Sequence, residues 1–395
     1  MKKAFNLALA LFPIISGYGF SPSLDFGSLL LFFLGAGCVV AYPKKFKIKF
    51  PLGYMAFFVV ALLLSLVWTH SVPLRVLLFS INLCFACSYA KWDYLWKYYG
   101  IIVWISCAFF LIQEASYLLL GSRPSGLLSF IPTIYGDNGD MIGRSKIDLR
   151  SAAFFLEPSY FAQFLLPYVI VNLFSIQRGN VKRAVVISMI IVLIRSGMGV
   201  LCVALIWLMW FLYSNVKLHY KIIVLVLGAS VFGVLVFTNS SILYALFGRA
   251  GELMSYGGDE TYMSSGFIRF FRGYYAFTDM SALNMLFGAN PQIVQDTLSR
   301  NIFFGSDESG FLNGVQTLLF YHGIIGAVLY LSHLLSFPYR THNKILLVFS
   351  VCFILLMLGE SYFLCSRGFL MVIIMQSIAE GARVGSNSVQ LVHSK

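Results

Sequence analysis

The most specific chemical feature of this sequence is a carboxylate at the edge of an apolar segment. Glu157 lies in the run RSAAFFLEPSYFA from Arg150 to Ala162, about one turn inside the apolar zone. Pro158 fits the first turn of a helix or a kink. An acid at that depth in a membrane costs several kcal/mol unless it is paired or faces water, which makes Glu157 a candidate functional group. A structural pair with Arg150 is the alternative, because the two residues would share a face of a continuous helix.

Arginine and lysine are sorted along the chain. The apolar segments and loops assigned below to one side of a membrane carry ten arginines and one lysine, against four arginines and roughly thirteen lysines on the other side. Membrane topology selects positive charge and does not sort arginine from lysine. The planar arginine fork binds phosphate oxygens in pairs, so we expect a phosphate or pyrophosphate ligand, with pairing to acids in the loops as the alternative. The ten are Arg75, Arg123, Arg144, Arg150, Arg195, Arg249, Arg269, Arg272, Arg300 and Arg367.

Three of these arginines stand out by position. Arg195 occupies a tight turn within an apolar stretch, and the turn needs Gly197 and Gly199 but does not need arginine. Its guanidinium would either extend to the lipid headgroups or point at a ligand phosphate. Arg269 and Arg272 are three residues apart in an aromatic segment. Read as a helix, that segment would lie along the membrane interface with its guanidinium groups at headgroup height, either as an anchor or as a ligand site.

Further acids lie close to predicted segment ends. Asp307 and Glu308 precede the tenth apolar segment, and Glu360 stands before the last one, with Arg367 just inside it. These residues join Glu157 as candidate carboxylates, and Arg367 joins the candidate phosphate ligands.

The elements that must position these residues are apolar helices. Hydrophobic residues make up 59% of the 395 residues and charged residues 11%, and the mean hydropathy is +0.82, far from the soluble range. We predict an all-α polytopic membrane protein, one integral domain over residues 1–395, with about twelve transmembrane helices. The predicted segments are 4–20, 25–42, 51–69, 72–90, 98–120, 152–174, 181–195, 198–214, 221–238, 311–332, 343–359 and 362–380.

Orientation follows from the short basic loops. Lysine clusters near residues 44–49, 182, 217–221 and 344 fall on the same side as the N-terminal lysines, which predicts that both termini are cytoplasmic. Two long loops, 121–150 and 239–310, are then periplasmic. The net charge of +12 is explained by this topology and by anionic lipid rather than by nucleic acid. The seven cysteines lie in predicted segments without metal spacing, and no nucleotide-binding motif is present, so we expect neither metal nor cofactor.

Four short motifs occur in a recognisable order. They are FxEPSxFA at residues 155–162, an SRxG-like turn at 194–197, LFGxx at 286–290 and GIIG at 323–326. In this order they resemble the O-antigen polymerases of the Wzy type, which form one superfamily with the O-antigen ligases. The resemblance spans roughly residues 150–380, and the first five segments match only in being hydrophobic.

The resemblance implies a GT-C-like, metal-independent, inverting glycosyltransferase in the bacterial inner membrane. It would move a growing glycan from undecaprenyl pyrophosphate onto a lipid-linked repeat unit at the periplasmic face. The implied partners are undecaprenyl-pyrophosphate-linked oligosaccharides as donor and acceptor, and membrane lipid. A chain-length regulator protein is a further candidate partner.

The resemblance also suggests roles for single residues. Arg195 and Arg269 match positions expected to hold the diphosphate, and Arg272 could share that task. Ligases tend to have a histidine before the tenth segment, where this chain has Asp307, Glu308 and Asn313, which favours a polymerase. The base stays open among Glu157, Asp307, Glu308 and Glu360. A ligase that transfers polymer to a lipid A core, and a lipid-linked oligosaccharide flippase, are the alternative functions.

Overall fold

The structure is almost entirely helical. The computed structural model describes residues 1–21, 24–46, 52–69, 74–128, 130–134, 150–175, 180–214, 270–301 and 311–393, together with residues 217, 219, 222 and 226. Fourteen α-helices lie within these residues. They are α1 Lys2–Ile15, α2 Phe26–Ala41, α3 Leu52–Thr69, α4 Leu74–Tyr89, α5 Trp92–Leu120, α6 Pro158–Phe174, α7 Val181–Leu193, α8 Gly197–Tyr213, α9 Arg272–Thr278, α10 Ala282–Phe287, α11 Pro291–Arg300, α12 Gly314–Thr341, α13 Lys344–Gly359 and α14 Ser366–His393.

Small elements join the first helices. Strands β1 (Gly19–Ser21) and β2 (Leu24–Asp25) form an antiparallel pair between α1 and α2, and a 3₁₀ turn, Pro43–Lys45, follows α2. Asp25 ends this strand pair and caps α2, because its side chain accepts a hydrogen bond from the Ser28 N–H at 2.7 Å.

The predicted all-α class is confirmed, and eleven of the twelve predicted segments contain a described helix. The remaining segment, 221–238, lies almost wholly outside the described residues. Two helices, α5 and α12, are long and apolar enough to cross a membrane, and six shorter apolar helices accompany them. The predicted loop 239–310 is not irregular throughout, because helices α9 to α11 lie in its described part, 270–301.

One predicted boundary is wrong in a way that affects the site. The segment predicted as 152–174 becomes helical only at Pro158, and Ala153 has a positive φ of 49°. Glu157 is extended, with φ −138° and ψ 148°, because a following proline disfavours helical backbone. Arg150 and Glu157 therefore do not share the face of a continuous helix.

Helix α6 forms the centre of the core. Its residues from Phe161 to Leu173 are buried on every side, and it packs against α5, α7, α8, α13 and α14. The start of α6, and with it Glu157, is consequently fixed relative to the ends of the surrounding helices.

Helix α12 is broken where two of the sequence motifs meet. Gly323 has φ 65° and ψ −175° inside α12, and Gly288 has φ 81° at the end of α10. The Ala289 N–H donates to the Phe320 carbonyl at 2.9 Å. A Cβ atom at Gly323 would collide with the backbone of Leu286. The glycines of LFGxx and GIIG thus allow α10 to contact the break in α12.

Candidate functional site

The candidate site lies at the end of the bundle where α6 and α8 begin and α13 passes into α14. Glu157 immediately precedes α6, with Pro158 at the first helical position as the sequence predicts. The Glu157 side chain is half-buried, and its Oε2 accepts a hydrogen bond from Ser159 Oγ at 3.1 Å. It caps no backbone N–H of the helix, so its charge is not required to start α6.

Arg367, the second residue of α14, faces the same first turn of α6. Its guanidinium carbon lies 3.5 Å from the centre of the Tyr160 ring, three residues after Glu157. The side chain is only 9% exposed, and its Nε has no hydrogen-bond partner among the described residues. A buried donor without a partner is costly, so this group is available to a ligand.

Glu360 is held by the start of α12. It caps α13 and is 8% exposed, and its carbonyl accepts a hydrogen bond from the Gly314 N–H at 2.8 Å. Asn313 and Gln316 form a capping box at the start of α12. The Asn313 amide also donates to the Leu358 carbonyl at 2.7 Å. The backbone at Glu360 is therefore fixed by α12 as well as by α13.

Arg272 lies on the far side of the start of α12 and is deeply buried. It is 1% exposed, and its Nη2 donates to the Phe311 carbonyl at 3.4 Å. The next residue, Gly273, packs so closely on Gln316 that a Cβ atom would overlap that side chain. The placement of this guanidinium at headgroup height stays a prediction, but its side chain is enclosed by protein because α9 packs onto α12.

Burial also affects Tyr274 of α9. It raises the pKa of the Tyr274 phenol, and a hydrogen bond with Asn313 opposes that rise. The phenol therefore stays neutral and serves to join α9 to the cap of α12.

The turn that carries Arg195 reaches the same region through Met198. Arg195 has a positive φ of 60° and is half-buried. Ser196 caps α8 by accepting a hydrogen bond from the Gly199 N–H at 3.3 Å. The space beside Gly359 is filled by Met198 and by Phe270. Met198, three residues after Arg195, and Phe270, which follows Arg269, therefore both contact Gly359, the residue before Glu360.

Arg150 lies at a different place, next to the C-terminal end of α5. The neighbouring Ser151 hydroxyl donates to Glu114 Oε1 at 2.6 Å and accepts from Arg123 Nε at 2.9 Å. Arg123 and Glu114 form an ion pair at 3.3 Å. Among the predicted site residues, Arg269, Asp307 and Glu308 lie outside the described residues.

A cavity of about 140 Å³ adjoins Arg367 and Tyr160. Its walls include Asp25, which sequence reasoning missed, and Arg75, which it named only as one of ten arginines. Ser28 donates from its N–H and from its hydroxyl to the Asp25 carboxylate, each at 2.7 Å. The available signal was modest, because an aspartate before an apolar run is also an ordinary helix cap.

The part of the chain that the structure describes holds no cluster of three His, Cys, Asp or Glu side chains suited to a metal ion. In comparisons with known proteins, the model of a family described as WcaD colanic acid polymerase matches residues 96–379. No curated protein matches the chain.

Proposed function

This chain belongs to the WcaD colanic acid polymerase family, and we propose on that premise that it is a membrane glycosyltransferase that extends a surface polysaccharide. Polymerases of this kind join lipid-linked repeat units, and the apolar helices make the chain an integral membrane protein. In the proposed reaction, a growing glycan leaves undecaprenyl pyrophosphate and is joined to the next lipid-linked repeat unit. O-antigen and related surface polysaccharides are the product class.

The observation that carries the proposal is the gathering of charged residues at one end of the bundle. Glu157 immediately precedes α6, and Arg367 lies over the ring of Tyr160 in the first turn of that helix. The Arg195 turn reaches Gly359 through Met198, next to Glu360. These residues come from separate parts of the chain, and a glycosyl transfer from a diphosphate needs both a carboxylate and cations in one place.

The chemistry assigns a role to each kind of group. The bond between the anomeric carbon and the pyrophosphate oxygen breaks, and the acceptor hydroxyl oxygen attacks the same carbon from the opposite face. Negative charge develops on the departing pyrophosphate, and preplaced guanidinium groups stabilise it more in the transition state than in the ground state. Arg195 and Arg367 supply this charge in the proposal, with Arg269, Arg272 and Arg150 as further candidates.

The acceptor proton must pass to a base. We assign Glu157 this role, or that of orienting the acceptor hydroxyl, because it faces the Arg367 side of the site. Glu360, Asp307 and Glu308 are the other candidate carboxylates.

The proposed topology has about twelve spans in a GT-C-like arrangement, with the termini in the cytoplasm and the site facing the periplasm. Reporter tags after Lys45 or Arg340 should then report the cytoplasm. Tags near Gly139 or Gly257 should report the periplasm. A tag in either long loop that reported the cytoplasm would contradict the proposal that the site faces the periplasm.

Deletion of the gene tests the function directly. A polymerase deletion leaves surface polysaccharide with a single repeat unit on a gel. Bare core with retained lipid-linked polymer would indicate a ligase instead, and precursor held at the cytoplasmic face would indicate a flippase. Co-purification of a chain-length regulator protein would test the remaining proposed partner.

A further inference from the structure

The cavity beside Arg367 is built jointly by the N-terminal helices and by the part of the chain that the family model matches. Its polar wall comes from the end of α1, the start of α2, the start of α4 and the start of α14. Ser16 Oγ donates to Ser366 Oγ at 2.6 Å, which joins α1 to α14. Arg75 donates from Nε and Nη2 to the Leu364 carbonyl at 3.3 and 3.1 Å, which joins α4 to the α13–α14 connection.

These contacts fix the orientation of the charged groups that line the cavity. Two of the three guanidinium nitrogens of Arg75 bind one carbonyl, so the plane of the group is set. Both carboxylate oxygens of Asp25 accept from Ser28, Oδ1 from the N–H and Oδ2 from the hydroxyl, each at 2.7 Å. A carboxylate oxygen can accept more than one hydrogen bond, so Asp25 retains acceptor capacity.

Arg367 provides a second, independent observation that points to a bound ligand. It lines the cavity, is more than nine-tenths buried, and keeps its Nε without a hydrogen-bond partner among the described residues. Native proteins rarely leave such a donor unsatisfied, and a bound polar molecule would satisfy it.

Size and charge together define the class of ligand. This cavity measures about 140 Å³, close to the roughly 150 Å³ that holds benzene, so it has room for one edge of a sugar ring with its hydroxyls rather than for the whole ring. Its lining combines donors from Arg75 and Arg367, an acceptor at Asp25, and serine hydroxyls. Adjacent sugar hydroxyls need both donors and acceptors, whereas a pyrophosphate needs donors alone and would be repelled by the Asp25 carboxylate.

We propose that this cavity is a saccharide subsite that binds one edge of a sugar ring of the lipid-linked repeat unit. Asp25 accepts hydrogen bonds from the ring hydroxyls, and Arg75 and Arg367 donate to the ring oxygens. That the sugar belongs to a lipid-linked repeat unit rests on the proposed function. Arg367 is shared with the proposed diphosphate site, so the test relies on Asp25 and Arg75, which line the cavity and have no role in the proposed diphosphate site.

The test uses the full-length protein in lipid nanodiscs with two probes. The first is the repeat-unit oligosaccharide released from its lipid carrier and free of phosphate, and the second is undecaprenyl pyrophosphate. Saturation-transfer NMR measures the first and a binding titration the second. The main variant is Asp25→Asn, because asparagine caps a helix as well as aspartate does while the negative charge and one acceptor oxygen are lost. Asp93→Asn, an exposed acid at the opposite end of the bundle, is the matched control.

Asp25→Asn should weaken oligosaccharide binding roughly tenfold, the effect of losing a hydrogen bond to a charged group. Undecaprenyl pyrophosphate binding should stay as in the unmodified protein, and Asp93→Asn should change neither. Arg75→Gln should act in the same direction, with the exposed Arg183→Gln at the opposite end as its control. The Arg75 variant keeps the test decisive if Asp25→Asn does not accumulate.

Unchanged oligosaccharide binding in both variants would overturn the subsite. Loss of undecaprenyl pyrophosphate with oligosaccharide retained would also overturn it, since the cavity would then be a phosphate site. Failure of the proposed function would be seen in the gene-deletion experiment instead. The deletion strain would then make normal polymer, although the purified protein still binds the oligosaccharide.

Discussion

The guanidinium of Arg367 lies over the ring of Tyr160, 3.5 Å from its centre, and this contact joins the start of α14 to the first turn of α6. A partly dehydrated cation–π contact contributes up to about 2 kcal/mol. It also holds Arg367 beside the cavity that both residues line.

This contact yields a prediction for Tyr160. Tyr160→Phe keeps the ring face and should retain most polymer formation. Tyr160→Leu removes the ring and should lower polymer formation at least roughly tenfold, because Arg367 loses its support. Polymer length and amount would be measured from purified lipid-linked repeats, with membrane levels of each variant checked. Equal activity of the two variants would show that the ring does not position Arg367.

Glu157→Gln should abolish polymer formation while the protein still accumulates in the membrane. The side chain caps no backbone group of α6, and Pro158 already favours the helix start, so the loss would be chemical rather than structural. Asp93→Asn serves as the control for removal of an exposed acid. Normal polymer from Glu157→Gln would exclude Glu157 as base and orienting group and move Glu360, Asp307 and Glu308 ahead of it.

Arg195 allows charge and backbone strain to be separated. Its φ of 60° is unfavourable for most residues but is tolerated by asparagine. Arg195→Asn should therefore keep or raise the melting temperature and lower the polymerisation rate roughly a hundredfold. Arg195→Lys keeps the charge but loses the planar fork and should recover only part of that rate. Full recovery with lysine would mean that the charge of Arg195 matters and its paired contacts do not. Near-normal activity of Arg195→Asn would mean that neither matters.

The broken helix α12 predicts a difference between two glycines. Gly121 and Gly323 have nearly the same φ, 68° and 65°, but a Cβ atom meets nothing within 4 Å at Gly121 and the Leu286 backbone at Gly323. Gly121→Ala should cost about 1 kcal/mol of stability, from backbone strain alone. Gly323→Ala should cost at least about 3 kcal/mol, because its ψ of −175° places it in a region that is essentially restricted to glycine, and overlap is added to that larger strain. Melting temperatures in one detergent would compare the two variants, and equal losses would contradict both the added strain and the overlap at Gly323.

The sequence predicted the helices well because membrane helices are specified locally. Long apolar runs identify the segments, and the proline at 158 identifies the start of α6. The apolar residues before Pro158 extended the predicted segment back to residue 152, although a following proline disfavours helical backbone at Glu157. Aromatic and arginine spacing likewise suggested an exposed helix around Arg272, whereas contact with α12, which spacing cannot reveal, buries it.

The placement of some candidate residues could be predicted, for a related reason. Glu157, Arg195, Glu360 and Arg367 were selected by charge near segment ends, and the structure brings the elements that carry them to one end of the bundle. Asp25 was not among the candidates, and an aspartate before an apolar run is also an ordinary helix cap. The approach of Met198 and Phe270 to Gly359 depends on packing between distant segments. A single sequence contains no sign of which distant side chains will fill the space beside a glycine.

The twin hydrogen bonds from Arg75 to the Leu364 carbonyl connect two regions under different constraints. Leu364 lies within the stretch that the family model matches, and Arg75 lies before it. Since a backbone carbonyl accepts these bonds, they can form whatever side chain stands at position 364. Mutation in the first ninety-five residues can thus reshape one wall of the cavity while the reacting groups stay in place. Relatives can in this way differ in the sugars they select and still catalyse the same glycosyl transfer.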